Sequence, residues 1–346
     1  MYCFMKEDAF HEPEIDECLG TDHQHGFFTC LAYAYPQVAK ASQPAGTSVQ
    51  QLQHFNEKTE TAQVLGPSSP HYRANLFYDS QNHRIQGKLS VTFTNHLQQE
   101  MQEVYFHLRG NAKTYQQKGG KTTINQVQVN GRKAGFQVKN HTALHLTGFQ
   151  LPSKQSATVS MDFEVNIPHD QGRFGWHHTT TSLENWLPVL AVYDHEKWNV
   201  DPYSSYGESF YNLPGNYDIT LTTDKHQVIA ATGIEIGSAK VQGNLATHRY
   251  QAKHVRDFSI HMDPGFQVIS DQVRHVRVNV YYTKKHEKYA ETMLETAVNN
   301  VESYIKKHGN YPWPELDVVC TDGRFGEWDS PQLLMVSQVH NNSRKI

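Results

Sequence analysis

From residue 72 onward, apolar and polar positions alternate with a period of two. Leu89, Val91 and Phe93 follow this rhythm, as do Val104, Phe106 and Leu108, and most clearly Ala157, Val159, Met161, Phe163, Val165 and Ile167. Strict alternation marks strands that bury one face, the usual state of antiparallel sheets. Asn130-Gly131, set between residues 124–129 and 133–138, signals a two-residue hairpin of type I′, because both central positions of that turn need positive φ. Further strands are predicted at 217–223, 228–232, 246–252, 255–262 and 276–282. Together they predict a mainly β chain whose 71–272 portion is an antiparallel domain of saddle or sandwich type.

The period changes once. Between 285 and 307, Tyr289, Met293, Leu294, Ala297, Val301, Tyr304 and Ile305 recur at three- and four-residue spacing, which predicts an amphipathic helix ended by Gly309 and Pro312. A buried strand at 316–320, a turn at Asp322-Gly323 and an apolar run at 333–336 follow. Residues 273–346 therefore read as the start of an α+β domain, expected to stop before it closes a core of its own.

The first 70 residues differ from the rest. No stretch reaches the roughly 18 apolar residues needed to span a bilayer. The run from Phe27 to Tyr35, followed by Ala39-Lys40-Ala41, resembles the apolar part and cleavage site of a signal peptide. The residues before it carry Glu7, Asp8, Glu12, Glu14, Asp16, Glu17 and Asp22 against Lys6, where a signal peptide is positive. Two readings stay open: a disordered acidic tail, or a damaged signal peptide of an exported or cell-surface protein; without a signal the chain would be cytoplasmic. Residues 42–70, rich in Gln, Ser, Thr, Pro and Gly, read as a linker.

Composition narrows the function classes. The 346 residues hold 38% hydrophobic and 19% charged residues, and the 11% aromatic content argues for a folded, polar protein rather than a disordered one. Lys+Arg 31 against Asp+Glu 35 gives a net charge of -4, so no basic field draws nucleic acid, and no nucleic-acid partner is expected. With only Cys320 beyond residue 30, no disulfide framework can hold the body together.

The 22 histidines raise the question of a metal. A zincin needs H-E-x-x-H, which sets two histidines on one helical face with a glutamate beside the metal-bound water. His11-Glu12, His195-Glu196 and His286-Glu287 all lack the second histidine; Ala290 stands where the helical pair would need it. His169 with His177-His178 reads as a solvated loop that could collect metal adventitiously. No G-x-S-x-G, P-loop or dinucleotide fingerprint occurs, and Gly172-Arg173-Phe174-Gly175 reads as a loop rather than a phosphate cradle. Trp186, Pro188, Tyr193, Trp198, Tyr203, Phe210 and Tyr211 crowd one long connection, either a loop packed over a sheet face or a wall facing a ligand.

Those residues also carry a resemblance. Asn185-Trp186-Leu187-Pro188-Val189-Leu190-Ala191-Val192-Tyr193-Asp194, Trp198-Asn199, Asp201-Pro202-Tyr203 and Gly207-Glu208-Ser209-Phe210-Tyr211 closely resemble the amino-terminal domain of the aminopeptidase N family of gluzincin metallopeptidases. Tyr217-Asp218-Ile219-Thr220-Leu221, Ala230-Ala231-Thr232-Gly233, Arg256-Asp257-Phe258 and Tyr311-Pro312-Trp313-Pro314 resemble it in the same order. The members it is most similar to are bacterial and often exported. The resemblance implies a saddle-shaped β domain docked on a thermolysin-like catalytic domain, peptide substrates, and zinc held by H-E-x-x-H with a downstream glutamate. It further implies a strand whose carboxylate anchors the substrate's free amino group. Aligned on Pro331 to Ser337, that carboxylate becomes Asp329, a methylene shorter than the family's glutamate, with Glu327 the other candidate.

None of the family's zinc ligands is present, so no cofactor is expected in this chain itself. Three functions follow as expectations. The chain is the amino-terminal portion of such a peptidase, inactive alone; or a non-catalytic binding protein using residues 186–211; or one half of a split enzyme, joined to its catalytic half through exposed apolar strands at 316–320 and 333–336.

Overall fold

A computed structural model describes residues 69–203, 210–322 and 327–337, with only the backbone described at Glu327. The segment carrying the signal-peptide and linker readings lies outside the described residues up to Ser69.

The largest element is a nine-stranded sheet. Its path runs Ile234–Glu235, Leu245–Val255, Gly215–Asp224, His71–Asp79, Arg84–Thr94, Ser156–Asn166, Lys121–Val129 and Arg132–Lys133, with Lys240–Gln242 beside Leu245–Val255. All pairs are antiparallel except His71–Asp79 with Gly215–Asp224, which run parallel. Alternation sends Tyr72, Ala74, Leu76 and Tyr78 inward with Leu89, Val91, Phe93, Val159, Phe163, Ile219 and Leu221, all buried. Each such side chain contributes on the order of 1.5–3 kcal/mol by leaving water.

The opposite face explains the low hydrophobic content. Register brings hydroxyls together across strands: Ser90 with Ser160 at 2.9 Å, Thr92 with Thr158 at 2.8 Å, Thr94 with Ser156 at 2.8 Å. These side chains stand where the pleat faces solvent, so polarity there costs the core nothing.

Two four-stranded sheets cover the inner face of the large one. One orders Val228–Ala231, Ile260–Asp263, Thr180–Leu183 and Phe174–His177; the other Val189–Leu190, Val104–His107, Ala143–Thr147 and Gly135–Lys139. The expected Asn130-Gly131 turn forms with φ of 50° and 77°. Its second arm is not one strand, however. Arg132–Lys133 stays in the nine-stranded sheet while Gly135–Lys139 crosses to pair with Ala143–Thr147. The strand expected over 255–262 likewise divides, because Leu245–Val255 and Ile260–Asp263 belong to different sheets.

The aromatic connection is packed rather than open over most of its length. Trp186 is 1% exposed, and its indole N–H donates to the Phe258 carbonyl at 3.1 Å. Leu187, Val189, Leu190, Ala191 and Val192 are buried with it.

Beyond this β region a five-stranded sheet orders Gln267–Val273, Val276–Tyr282, Glu315–Thr321, Leu333–Ser337 and Glu327–Ser330. Its middle three strands are parallel. The strand Gln267–Val273, which straddles residue 272, pairs with Val276–Tyr282 in this sheet. The helix Glu287–His308 follows a single 3-10 turn at Lys284–His286 and ends at Gly309, whose φ is 92°. It packs on the first two strands through its buried Ala290, Ala297, Val301, Tyr304 and Ile305. The Tyr-Pro-Trp-Pro segment closes the junction: the Trp313 indole N–H donates to the Lys253 carbonyl at 2.9 Å. One expectation is corrected here. Glu315–Thr321 is no exposed edge, since it is paired on both sides, and Leu316, Val318, Val319, Cys320, Leu333, Leu334 and Met335 are all buried.

Candidate functional site

The strand bearing Asp329 is the edge of the five-stranded sheet. It pairs antiparallel with its neighbour so that Glu327 stands opposite Val336, Trp328 opposite Met335, Asp329 opposite Leu334 and Ser330 opposite Leu333. Directly opposed residues share a face, and successive residues alternate. Leu333 packs with Ala230 and Phe266, so the Ser330 and Trp328 side faces the β region. Asp329 is exposed and belongs with Leu334 to the other face, the one on which the helix lies. Glu327 sits two residues nearer the carboxyl end of Leu333–Ser337.

The β region grips this strand at two points flanking Asp329. The Ser259 hydroxyl donates to the Ser330 hydroxyl at 2.8 Å, both buried. The Arg173 guanidinium lies over the Trp328 ring, its Cζ 3.2 Å from the centroid, and over Phe210 at 4.7 Å. Phe210 meets Trp328 edge-on, at 6.2 Å between centroids. Arg109 covers Phe210 at 4.6 Å and donates to Asn185 Oδ1 at 3.0 Å and Asn212 Oδ1 at 3.1 Å. Stacked guanidiniums of this kind contribute from about 0.5 to 2 kcal/mol each, more where water is excluded. Burial lowers the Arg109 guanidinium to about 10, an effect the nearby Asp257 opposes.

Buried acids lie close to these arginines. Glu184 Oε1 is 3.2 Å from His261 Nε2, and His261 Nδ1 is 3.0 Å from the Ser182 hydroxyl. Ser182 and His261 stand directly opposite each other on neighbouring strands. Burial raises the Glu184 carboxyl, against the opposing influence of His261 and then Arg173. Burial also raises Asp257, against the backbone N–H groups of Asn185 and Phe258 and the charge of Arg109. Sequence reasoning missed the Ser182, His261 and Glu184 link. Nothing local joins residues 182 and 261; only the Ser-x-Glu spacing hints that two of them share a strand face.

Next to this link a cleft of about 190 Å³ opens at the carboxyl ends of two parallel strands, between Thr283 and Asp322 on one side and Gln171, Thr180, Ser182 and Asp263 on the other. Open sheets with parallel strands bind ligands in such a place. Its acids are already paired: Asp170 with Lys118 at 2.8 Å, Asp322 with Lys285 at 2.8 Å and with His286 at 3.0 Å, and Asp263 with the hydroxyl of Thr179 at 2.9 Å and with that of Thr180 at 2.5 Å. A larger hollow of about 680 Å³ lies over the polar outer face of the nine-stranded sheet near Phe77, Gln86 and Asp162. It is unenclosed, so the smaller cleft is the better walled of the two; Asp329 lines neither.

Among the described residues no group of three His, Cys, Asp or Glu side chains is placed to hold a metal ion. His169 and His177 stand 5.9 Å apart between ring centroids, with His169 turned onto Trp176 at 4.3 Å. Burial pushes the Cys320 thiol up to about 12, which leaves it a core residue. No described helix is long and apolar enough to cross a membrane.

No protein-family model matches the chain, and no curated protein does either. Solved structures do. An M1 zinc metallopeptidase mutant from Deinococcus radiodurans superposes with a TM-score of 0.56 at 12% identity, over 79% of this chain and 60% of that one. A two-domain M1 zinc metallopeptidase mutant bound to L-arginine gives 0.55 at 12% identity, over 81% and 62%; one bound to L-tryptophan gives 0.54 at 12%, over 79% and 61%. The chain has the fold of these metallopeptidases over about four fifths of its own length, and spans about three fifths of theirs. The zinc that fold implies does not fit the described residues: no ligand cluster is present among them, and the full sequence contains no H-E-x-x-H.

Proposed function

We propose that the chain is the amino-terminal portion of an aminopeptidase N-like zinc metallopeptidase, made of the β domain over 71–272 and the first elements of a thermolysin-like catalytic domain over 273–346. In this reading Asp329 receives the amino terminus of a peptide, with Glu327 as the second candidate. A carboxylate offered at a sheet edge pairs with an ammonium group by a charge-assisted hydrogen bond, which a blocked amino terminus cannot supply. The observation that carries the reading is the edge strand itself, where Asp329 is exposed on the helix side of the sheet, in a chain that shares the M1 metallopeptidase fold over about four fifths of its length. Peptide hydrolysis belongs to the protein only together with residues that supply the zinc, whether on the same polypeptide or on a partner.

The test is to offer purified chain leucine p-nitroanilide with added zinc, and leucinamide or N-acetyl-leucinamide as ligands. No hydrolysis, with binding of leucinamide alone and loss of that binding in Asp329→Asn, supports the reading. Chelator-sensitive hydrolysis overturns the inactive portion, and equal binding of both amides overturns the anchor in favour of a general binding protein.

A further inference from the structure

Of the expected loop Gly172-Arg173-Phe174-Gly175 only the first two residues precede the strand Phe174–His177; Arg173 is left without a role by the proposed peptidase reading, yet its guanidinium stacks on Trp328 of the edge strand. Trp328 and Ser330 face the β region and are each held by it, one under Arg173 and the other by Ser259. Asp329, between them, faces the opposite way. An edge strand has a ladder partner on one side only, so contacts across its face decide how far it frays. The two contacts bracket a single residue, and pinning both neighbours of one side chain restricts the backbone torsions that aim it.

We propose that Arg173 is a positioning residue: by clamping Trp328 it fixes the edge strand so that Asp329 is held ready to receive an amino group. The inference rests on the anchor role of Asp329 proposed above. Arg173 itself stays on the far face and makes no contact with the bound amine. Phe210 and Arg109 support the clamp, because the Phe210 ring contacts both guanidiniums and meets the Trp328 ring. The arrangement favours arginine over lysine, since a planar guanidinium stacks on an indole across its whole width and an ammonium touches it as a point charge. The β domain is then part of the substrate site rather than a passive cover.

The experiment measures leucinamide binding by NMR titration and amide hydrogen exchange of residues 328–330 in the whole chain and in four variants. Asp329→Asn is expected to lose leucinamide binding while leaving exchange unchanged. Arg173→Ala is expected to weaken binding about tenfold and to speed exchange at 328–330 by a similar factor, as loss of a desolvated cation–π contact requires. Arg173→Lys should recover part of both effects. If Arg173→Ala does not fold, Trp328→Leu removes the same contact from the other side and should give the same two changes. Unchanged affinity in Arg173→Ala or Trp328→Leu, with binding still lost in Asp329→Asn, overturns the positioning role and leaves the anchor standing. Absence of leucinamide binding to the unaltered chain, or its persistence in Asp329→Asn, overturns both.

Discussion

The hydroxyl of Ser259 in the β region donates to the hydroxyl of Ser330 on the edge strand of the second sheet at 2.8 Å, with both side chains buried. The residues lie 71 positions apart in the chain. Removing one partner strands the other in an apolar setting, whereas removing both leaves nothing unsatisfied. Ser330→Ala or Ser259→Ala alone should each cost about 1–3 kcal/mol, and the double variant should cost clearly less than their sum. Urea unfolding of all four proteins checks this; strict additivity would show that the bond is energetically idle.

Gly233, in the Ala-Ala-Thr-Gly motif, has a φ of 96°, and a Cβ there would lie 2.4 Å from the Gln251 carbonyl oxygen. Gly131 has a φ of 77° but open space around it. Gly131→Ala should therefore cost about 1 kcal/mol of backbone strain, and Gly233→Ala appreciably more, above about 3 kcal/mol, because a clash with main chain adds to the strain. Thermal melts of the two variants decide it, and equal losses would contradict the geometry.

Asp317 is fully buried in the five-stranded sheet, where its Oδ1 accepts from Asn279 Nδ2 at 2.8 Å. Burial first, and then the neighbouring Glu315, raise its carboxyl well above the ordinary 3.8. A raised carboxyl pKa means that the folded state holds a proton the unfolded state has already released. The stabilisation is complete below about 3.8 and is lost as pH rises through the folded value. Asp317→Asn keeps an acceptor for Asn279 and removes the titration. Its unfolding midpoint should fall less than that of the unaltered chain between pH 4 and 7, and parallel curves would refute the assignment.

Trp186 fills the space beneath the large sheet and donates to Phe258 O. Trp186→Phe keeps a ring and loses the donor, which should cost about 1–3 kcal/mol. Trp186→Ala also opens a cavity and should cost about 3–5 kcal/mol. Unfolding free energies of the two variants measure the difference, and a ligand-facing wall would predict small, similar losses instead.

Much of this was legible in the chain. Alternation such as Ala157 to Ile167 gives a strand whose inner residues are buried, because side-chain direction has a period of two in any strand. Helix 287–308 was visible from its three- and four-residue apolar spacing, and its end from Gly309. The places where strands change sheets were not visible. Apolar residues continue from Val255 to Met262, but Asp257 turns the chain between sheets by accepting the Asn185 N–H at 2.7 Å, a partner 72 positions away. In the candidate site Asp329 and Glu327 were candidates by resemblance alone, while Arg173 read only as a loop residue after a glycine.

By itself, the sequence determined that the chain is built from one-faced strands and a long amphipathic helix, and that no nucleotide fingerprint or H-E-x-x-H occurs. Local periodicity and motif order carry that information, because each depends on residues a few positions apart. Only the tertiary structure decided that Asp329 turns to the helix face while Trp328 and Ser330 turn to the β region, and that Arg173 lies on Trp328. Those relations depend on pairing register and on contacts between segments more than 70 positions apart, as the 71 between Ser259 and Ser330 illustrate. Packing of the assembled sheets selects them, and no local pattern in the chain records that choice.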